Sequence, residues 1–166
     1  MTQLSASLED YLEAIWIAGR EATVVRVKDL TGSMNVKTSS VIGALKNLSG
    51  KGLIIHERYG YIELTQMGET LARQIYERHL TLTRFLNKIL GIDLGTSGED
   101  ACQIEHHVSR KTMDKIVKFI EFVETCPEGD PVWLSNFHNF AKKGSRRRTS
   151  KARQDKKEPE KKAGKS

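Results

Sequence analysis

Between residues 7 and 64 the apolar pattern leaves few folds open, because a run of short helical periods gives way abruptly to two strand-like segments. Leu8, Leu12, Ile15 and Trp16 recur at helical spacing, and Ser7-Leu8-Glu9-Asp10 has the form of a capping box, so a first helix is expected from Ser7 to about Gly19. Val27, Leu30 and Met34 mark a short second helix, Asn35-Val36-Lys37 a turn, and Val41, Ala44, Leu45 and Leu48 a third helix stopped by Gly50-Lys51-Gly52. Leu53-Ile54-Ile55-His56-Glu57-Arg58 and Tyr61-Ile62-Glu63-Leu64 then read as strands joined at Tyr59-Gly60. Two short helices joined by a tight turn, after a leading helix and before a hairpin, spell a winged helix-turn-helix.

Downstream the pattern is helical throughout. Leu71, Ile75, Leu82, Phe85, Leu86 and Ile89 line one side of a long helix expected from Gly68 to about Leu90. A Gly- and Ser-rich loop is expected at 91–98, then helices over Glu99 to Val108 and Thr112 to Val123. In the last of these, Met113, Ile116, Val117, Ile120 and Val123 form a stripe too wide for a lone surface helix, which implies a partner surface, most simply a second copy of the chain. Trp133, Leu134, Phe137 and Phe140 suit one short amphipathic helix, and beyond Ala141 the composition is that of a disordered segment. The expected fold class is therefore mainly α with a small β-wing. Its expected divisions are a winged helix-turn-helix domain at 1–72, an all-helical dimerisation domain at 73–126, a short amphipathic extension at 127–141 and a basic tail at 142–166.

The net charge of +6 has to be located before it means anything. Residues 142–166 hold 12 Lys or Arg against 3 Asp or Glu, whereas residues 1–141 hold 15 against 18, so the body is mildly acidic. Within that body, residues 26–58 carry Arg26, Lys28, Lys37, Lys46, Lys51 and Arg58 against Asp29 and Glu57, the electrostatic footprint for a polyanion. No apolar stretch approaches the roughly 18 to 20 residues of a membrane span, and the first residues lack the pattern of a signal peptide, so a cytoplasmic protein without a membrane partner is expected. The two cysteines, Cys102 and Cys126, form no CxxC pair and are read as thiols or ligands, not as a disulfide.

In a helix-turn-helix the second helix enters the major groove with its first residues at the base edges. Here these are Lys37, Thr38, Ser39 and Ser40, of which the short hydroxyl side chains suit bases and phosphates, while Lys46, Lys51 and Arg58 are placed for phosphate contacts and Arg26 and Lys28 complete the expected DNA-binding set. The plainer alternative is that Thr38 and Ser39 cap the helix and the lysines are a solvated face. Coincidence of the basic excess with the helix and wing that geometry selects favours double-stranded DNA. Arg146-Arg147-Arg148 in the tail would add nonspecific phosphate affinity.

A second chemistry overlaps the helical region. Cys102, Glu105 and His106 stand at i, i+3 and i+4, the spacing that puts three metal-capable side chains on one helix face. Singly each has an ordinary reading, as a buried thiol, a solvated charge or a core histidine. His79 lies among Ile75, Leu82 and Leu86 on the apolar side of its helix, where an imidazole wants a partner. Asp10 and Glu13 share a flank of the first helix, although acids near a helix start also simply favour its dipole.

These residues together resemble the DtxR/MntR group of metal-dependent repressors. The resemblance covers about residues 7–126 and rests on Leu8-Glu9-Asp10-Tyr11-Leu12-Glu13, Val36-Lys37-Thr38-Ser39-Ser40-Val41, Arg78-His79 and Glu99-Asp100-Ala101-Cys102-Gln103-Ile104-Glu105-His106. It implies that Asp10, Glu13, His79, Cys102, Glu105 and His106 are metal ligands, that the N-terminal domain binds an operator, and that the helical domain makes a homodimer. Two departures stand out: the iron-responsive branch typically has methionine at Asp10, and the manganese branch glutamate at Cys102. The implied site is a hybrid for Mn²⁺ or Fe²⁺, to which Co²⁺ or Zn²⁺ would also bind. Thr83 and Gly98 occupy positions where the iron branch's ancillary site uses Glu and His, and the SH3-like third domain of longer members is not expected. The expected function is a metal-dependent repressor of metal uptake or homeostasis genes, with no catalysis and no small organic ligand. A hydrolase using the same side chains is disfavoured because the ligands bridge domains beside a DNA reader. A constitutive winged-helix DNA-binding protein with a structural or vestigial metal site is the remaining alternative.

Overall fold

The computed structural model describes residues 4–22, 24–56, 60–127, 129 and 131–143, which divide into two compact units, 1–125 and 126–166. In the first unit α1 spans Ala6–Glu21, α2 Val27–Met34 and α3 Thr38–Gly50; β1 (Ile54–His56) and β2 (Ile62–Leu64) follow, then α4 (Gln66–Arg84), α5 (Leu94–Ile104) and α6 (Arg110–Glu124). In the second unit α7 spans Val132–Lys143, two residues past Ala141. The tail from residue 144, including Arg146, Arg147 and Arg148, lies outside the described residues, as does Arg58 on the expected wing. The winged helix-turn-helix order and the helical remainder stand as expected. The expected division between residues 72 and 73 falls inside α4, which runs through it unbroken.

Helix ends are where local chemistry departs from the apolar pattern. The cap of α1 is Ser5, whose hydroxyl accepts the Leu8 N–H at 3.4 Å, so Ser7 lies inside the first turn. At α2 the Arg26 N–H donates to the Asp29 carboxylate at 2.9 Å, and Asn35 takes the left-handed conformation (φ 51°) that turns the chain toward α3. Asp93 starts α5 by accepting the Thr96 N–H at 3.0 Å. The helix therefore begins at Leu94, not Glu99, and its Gly- and Ser-rich first turns are helical instead of a loop. It ends at Ile104, short of Val108. The last turn of the long helix, Phe85–Ile89, widens to π-helical pairing.

The core of the reading half gathers one face from every element: Leu12 and Ile15 from α1, Leu30 from α2, Val41, Leu45 and Leu48 from α3, Ile54 and Ile62 from the hairpin, Ala72 and Ile75 from α4. The strands pair antiparallel with Ile54 opposite Leu64, and the Ile62 N–H donates to the Val25 carbonyl at 2.9 Å, which anchors the hairpin to the segment before α2. A second cluster of Leu82, Leu86, Ala101 and Met113 holds α4, α5 and α6 together. Arg84 and Lys88 both form ion pairs with Glu124.

The return from the wing into α4 is the tightest crossing. Thr65 caps α4 by accepting the Gly68 N–H at 3.0 Å, while its own hydroxyl donates to the Gly52 carbonyl at 2.7 Å. A Cβ at Gly68 would lie 1.8 Å from the Leu53 carbonyl oxygen, so only glycine fits without moving backbone. Gly43, by contrast, sits exposed in α3, and a Cβ there would meet nothing within 4 Å. Gly68→Ala is expected to cost at least the roughly 1–3 kcal/mol typical of overpacking, and Gly43→Ala to stabilise by about 0.4–1 kcal/mol. Urea unfolding of the two variants checks this; equal midpoints would refute the close approach.

Candidate metal centre and nucleic-acid interface

Three elements bring the candidate ligands together. Helix α1 carries Asp10 and Glu13, α4 carries His79, and the end of α5 carries Cys102 in its last turn. Glu105 is the residue after α5, with its N–H still donating to the Ala101 carbonyl at 3.0 Å and its backbone still helical (φ −59°, ψ −31°). His106 follows in the turn. The expected one-face geometry thus survives, although the helix carrying it has already ended.

Ligand atoms of Asp10, Cys102 and Glu105 lie within 4.8 Å of one another, as do those of Glu13, His79 and Glu105. Glu105 belongs to both groups and is fully buried. Its Oε2 lies 3.1 Å from His79 Nδ1. His106 Nε2 stands 2.8 Å from Asp10 Oδ1 and 3.5 Å from Glu105 Oε1, the latter without hydrogen-bond geometry. All six expected ligands therefore converge. Cys102 is solvent-exposed and free, not the buried thiol of its plainer reading.

Missing from the sequence expectation is Glu9. Its Oε2 accepts from Arg78 Nη2 at 2.8 Å and lies 2.8 Å from His106 Nδ1. As an acid in the first turn of α1 it has an adequate local explanation in the dipole, and no spacing rule links it to residues far along the chain.

The electrostatics show a site short of positive charge. Burial, reinforced by the neighbouring Glu105 carboxylate, pushes the Glu13 carboxyl up to about 7. The hydrogen bond to Glu105 raises His79. Burial alone would lower His106, but its hydrogen bonds to Glu9 and Asp10 prevail and raise it. Although Cys102 is largely exposed, partial desolvation by its surroundings and then the Asp10 charge push its thiol up. Glu13 Oε1 and Glu105 Oε1 are buried without a hydrogen-bond partner among the described residues. Such orphaned carboxylate oxygens are costly unless protonated or met by a cation. The donor set of carboxylates, imidazoles and one thiolate fits a divalent transition metal.

The second surface is the outer face of α3. Lys37, Thr38, Ser39, Ser40 and Lys46 are exposed there, and Arg26 and Lys28 at the start of α2 and Lys51 just after α3 are exposed as well. Lys37, not Thr38, occupies the cap position, and no side chain caps the helix, so Thr38 and Ser39 are not consumed as caps. Arg26 stacks over the Tyr61 ring at 5.2 Å. Ile42, in the same helix, is an exposed apolar residue that charge-based reasoning passed over.

Comparison with known proteins gives matching results for both halves. Residues 3–62 match the family model of an iron dependent repressor N-terminal DNA binding domain, and residues 65–134 that of an iron dependent repressor metal binding and dimerisation domain. An uncharacterised HTH-type transcriptional regulator of Methanocaldococcus jannaschii is 34% identical over 71% of this chain and 95% of its own length. The HTH-type transcriptional regulator MntR of Bacillus pumilus is 33% identical over 74% of this chain and 84% of its own. Among solved structures, a manganese-dependent transcriptional repressor in complex with manganese superposes with a TM-score of 0.65 at 31% identity, covering 75% of this chain and 57% of that one. The crystal structure of T. acidophilum IdeR gives a TM-score of 0.63 at 25% identity, over 80% of this chain and 61% of that one. This chain thus spans less than two thirds of those solved chains.

The proton balance of the site has a definite sign. In the fold Glu13 keeps its proton to about pH 7 against 4.5 for an ordinary Glu, so the folded state binds the extra proton and stability falls as pH rises through that window. His79 and His106, both raised above 6.5, contribute stability that is full below that value and lost as pH climbs through their folded values. Melting temperature of the metal-stripped protein should therefore fall between about pH 5 and about pH 8. Excess Mn²⁺, which competes with those protons, should flatten or reverse the trend. A melting temperature that climbs with pH in chelator would contradict the assigned geometry.

Proposed function

This chain belongs to the iron-dependent repressor family, and from that premise we propose that it is a metal-dependent DNA-binding transcriptional repressor in which Mn²⁺ or Fe²⁺ acts as corepressor at metal-homeostasis genes. Relatives named as transcriptional regulators and a neighbour described as manganese-dependent support a regulator over an enzyme. The observation that carries the reading is the convergence of α1 with α4 and the end of α5: Asp10 and Glu13 on one side, His79, Cys102, Glu105 and His106 on the other. Residues 1–72 then serve as the reading domain and 73–126 as the metal and dimerisation domain, with 127–141 as an extension and 142–166 as a basic tail.

When bound, a divalent ion supplies the positive charge that the Glu13 and Glu105 oxygens lack. Asp10 and Glu13 stand on a helix whose Leu12 and Ile15 pack in the same core as Leu30 of α2 and Val41 and Leu45 of α3. Fixing α1 against α4 and α5 therefore fixes the recognition helix through that packed core. In a homodimer two such helices are set for successive major grooves about one helical turn apart. Val117 and Phe122 of α6 and Leu80 of α4, large apolar side chains left exposed, support a second copy as the partner. The coupling is limited by the difference in ion affinity between the DNA-competent arrangement and the others. A thiolate beside carboxylates leaves Mn²⁺ and Fe²⁺ as the leading ions, with Co²⁺ and Zn²⁺ able to bind.

No helix among the described residues is long and apolar enough to cross a membrane. Nucleic acid at α3 is the remaining surface chemistry. Lys46→Ala is expected to weaken binding to all duplexes alike and to lower the salt slope by about 1. Glu105→Ala and His106→Ala should cut Mn²⁺-stimulated operator affinity by the roughly 5- to 150-fold of a typical coupling while leaving nonspecific binding in place. Anaerobic capture of genomic fragments with Mn²⁺, Fe²⁺ or chelator supplies the operator for both measurements. Capture of the same fragments in chelator would leave a constitutive DNA-binding protein instead.

A further inference from the structure

We infer that Glu9 is a positioning residue: it holds the His106 imidazole so that Nε2 faces the ligand cluster, and Arg78 holds Glu9 in turn. This rests on the metal-site reading above and adds a residue to it. Glu9 Oε2 is shared between Arg78 Nη2 and His106 Nδ1, each at 2.8 Å, so one oxygen on α1 joins α4 to the turn after α5. The pair is nearly sealed, with the Glu9 side chain 13% and the His106 side chain 6% exposed.

Direction matters more than proximity here. With Nδ1 committed to Glu9, the other ring nitrogen is the one 2.8 Å from Asp10 and 3.5 Å from Glu105. An imidazole whose Nδ1–H is held by a carboxylate has its lone pair on Nε2, its ring rotation restricted and its basicity increased, all of which favour coordination through Nε2. Glu9 is not itself in either three-residue ligand group. Its placement is also more than a dipole effect. A first-turn acid serving only the helix dipole has no need of burial, whereas here the carboxylate is largely desolvated against two partners, and the buried Arg78 Nε has no hydrogen-bond partner among the described residues.

The test is Mn²⁺ titration of the full chain, with free ion read by electron paramagnetic resonance, on the parent, Glu9→Ala, Glu9→Gln and Arg78→Met. Co²⁺ absorption spectra follow in parallel. Glu9→Ala should weaken Mn²⁺ binding by about 10- to 100-fold with the number of ions per chain unchanged. Glu9→Gln, whose amide oxygen still accepts the Nδ1–H, should recover most of the loss and the parent Co²⁺ spectrum, which a purely structural tie would not predict. Parent-like affinity in a folded Glu9→Ala overturns the inference and leaves the proposed function standing. Fewer ions per chain also overturns it, because Glu9 would then be a ligand. Should Glu9→Ala not fold, parent-like affinity in Arg78→Met, where Glu9 loses its anchor, is the contrary result. A parent chain that binds neither Mn²⁺ nor Co²⁺ removes the metal reading and this inference together.

Discussion

Glu105 carries a carboxylate to a place with no solvent exposure, where an unpaired charge costs on the order of several kcal/mol. Only its surroundings make that tolerable. His79 meets one oxygen at 3.1 Å, while the other oxygen has no hydrogen-bond partner among the described residues and Glu13 crowds the same space. Relief comes from a proton held on the neighbouring Glu13 or His79 or from a cation, and the two compete. That competition gives the site its function in the proposed scheme, because the groups that relieve Glu105 belong to different parts of the chain.

The scaffold is arranged around that requirement. Ser5 and Asp93 set where α1 and α5 begin, so that Asp10, Glu13 and Cys102 all stand on helical backbone, and the buried apolar faces of those helices set the rotation at which they point. Ile104 ends α5 one residue before Glu105, so the carboxylate and the following imidazole leave a helix end instead of a helix middle. The packing that buries Leu12 and Ile15 of α1 also holds α2 and α3, which ties the start of α3, with Lys37, Thr38, Ser39 and Ser40, to the helix that carries Asp10 and Glu13. A local change in α1 would thereby reach the outer face of α3 without any long relay.

Much of this is legible in the residues, for reasons that differ between elements. Apolar spacing locates α1 to α4 and the hairpin because one face of each is buried in a single core. Composition misleads at residues 91–98: Gly95, Ser97 and Gly98 look like a loop, but Asp93 offers the orphan N–H groups a cap and Ser97 is fully buried inside the helix that results. The π-helical turn at Phe85–Ile89, which packs against α5 and α6, likewise has no local signature.

Residue types and short-range spacing are enough to single out Cys102, Glu105 and His106, because i, i+3 and i+4 neighbours share a helix face whatever the rest of the chain does. They also identify the basic, hydroxyl-rich start of α3. What they leave undecided is every relation between elements. That Glu105 belongs to two candidate ligand groups, that Asp10 rather than solvent meets His106 Nε2, and that Glu9 links Arg78 to His106 from the far end of the chain are products of packing. Periodicity is a property of neighbours along one helix, whereas burial and partner choice depend on which helices the core brings face to face. The order of residues thus fixes which side chains carry the chemistry, and only the tertiary packing decides which of them meet.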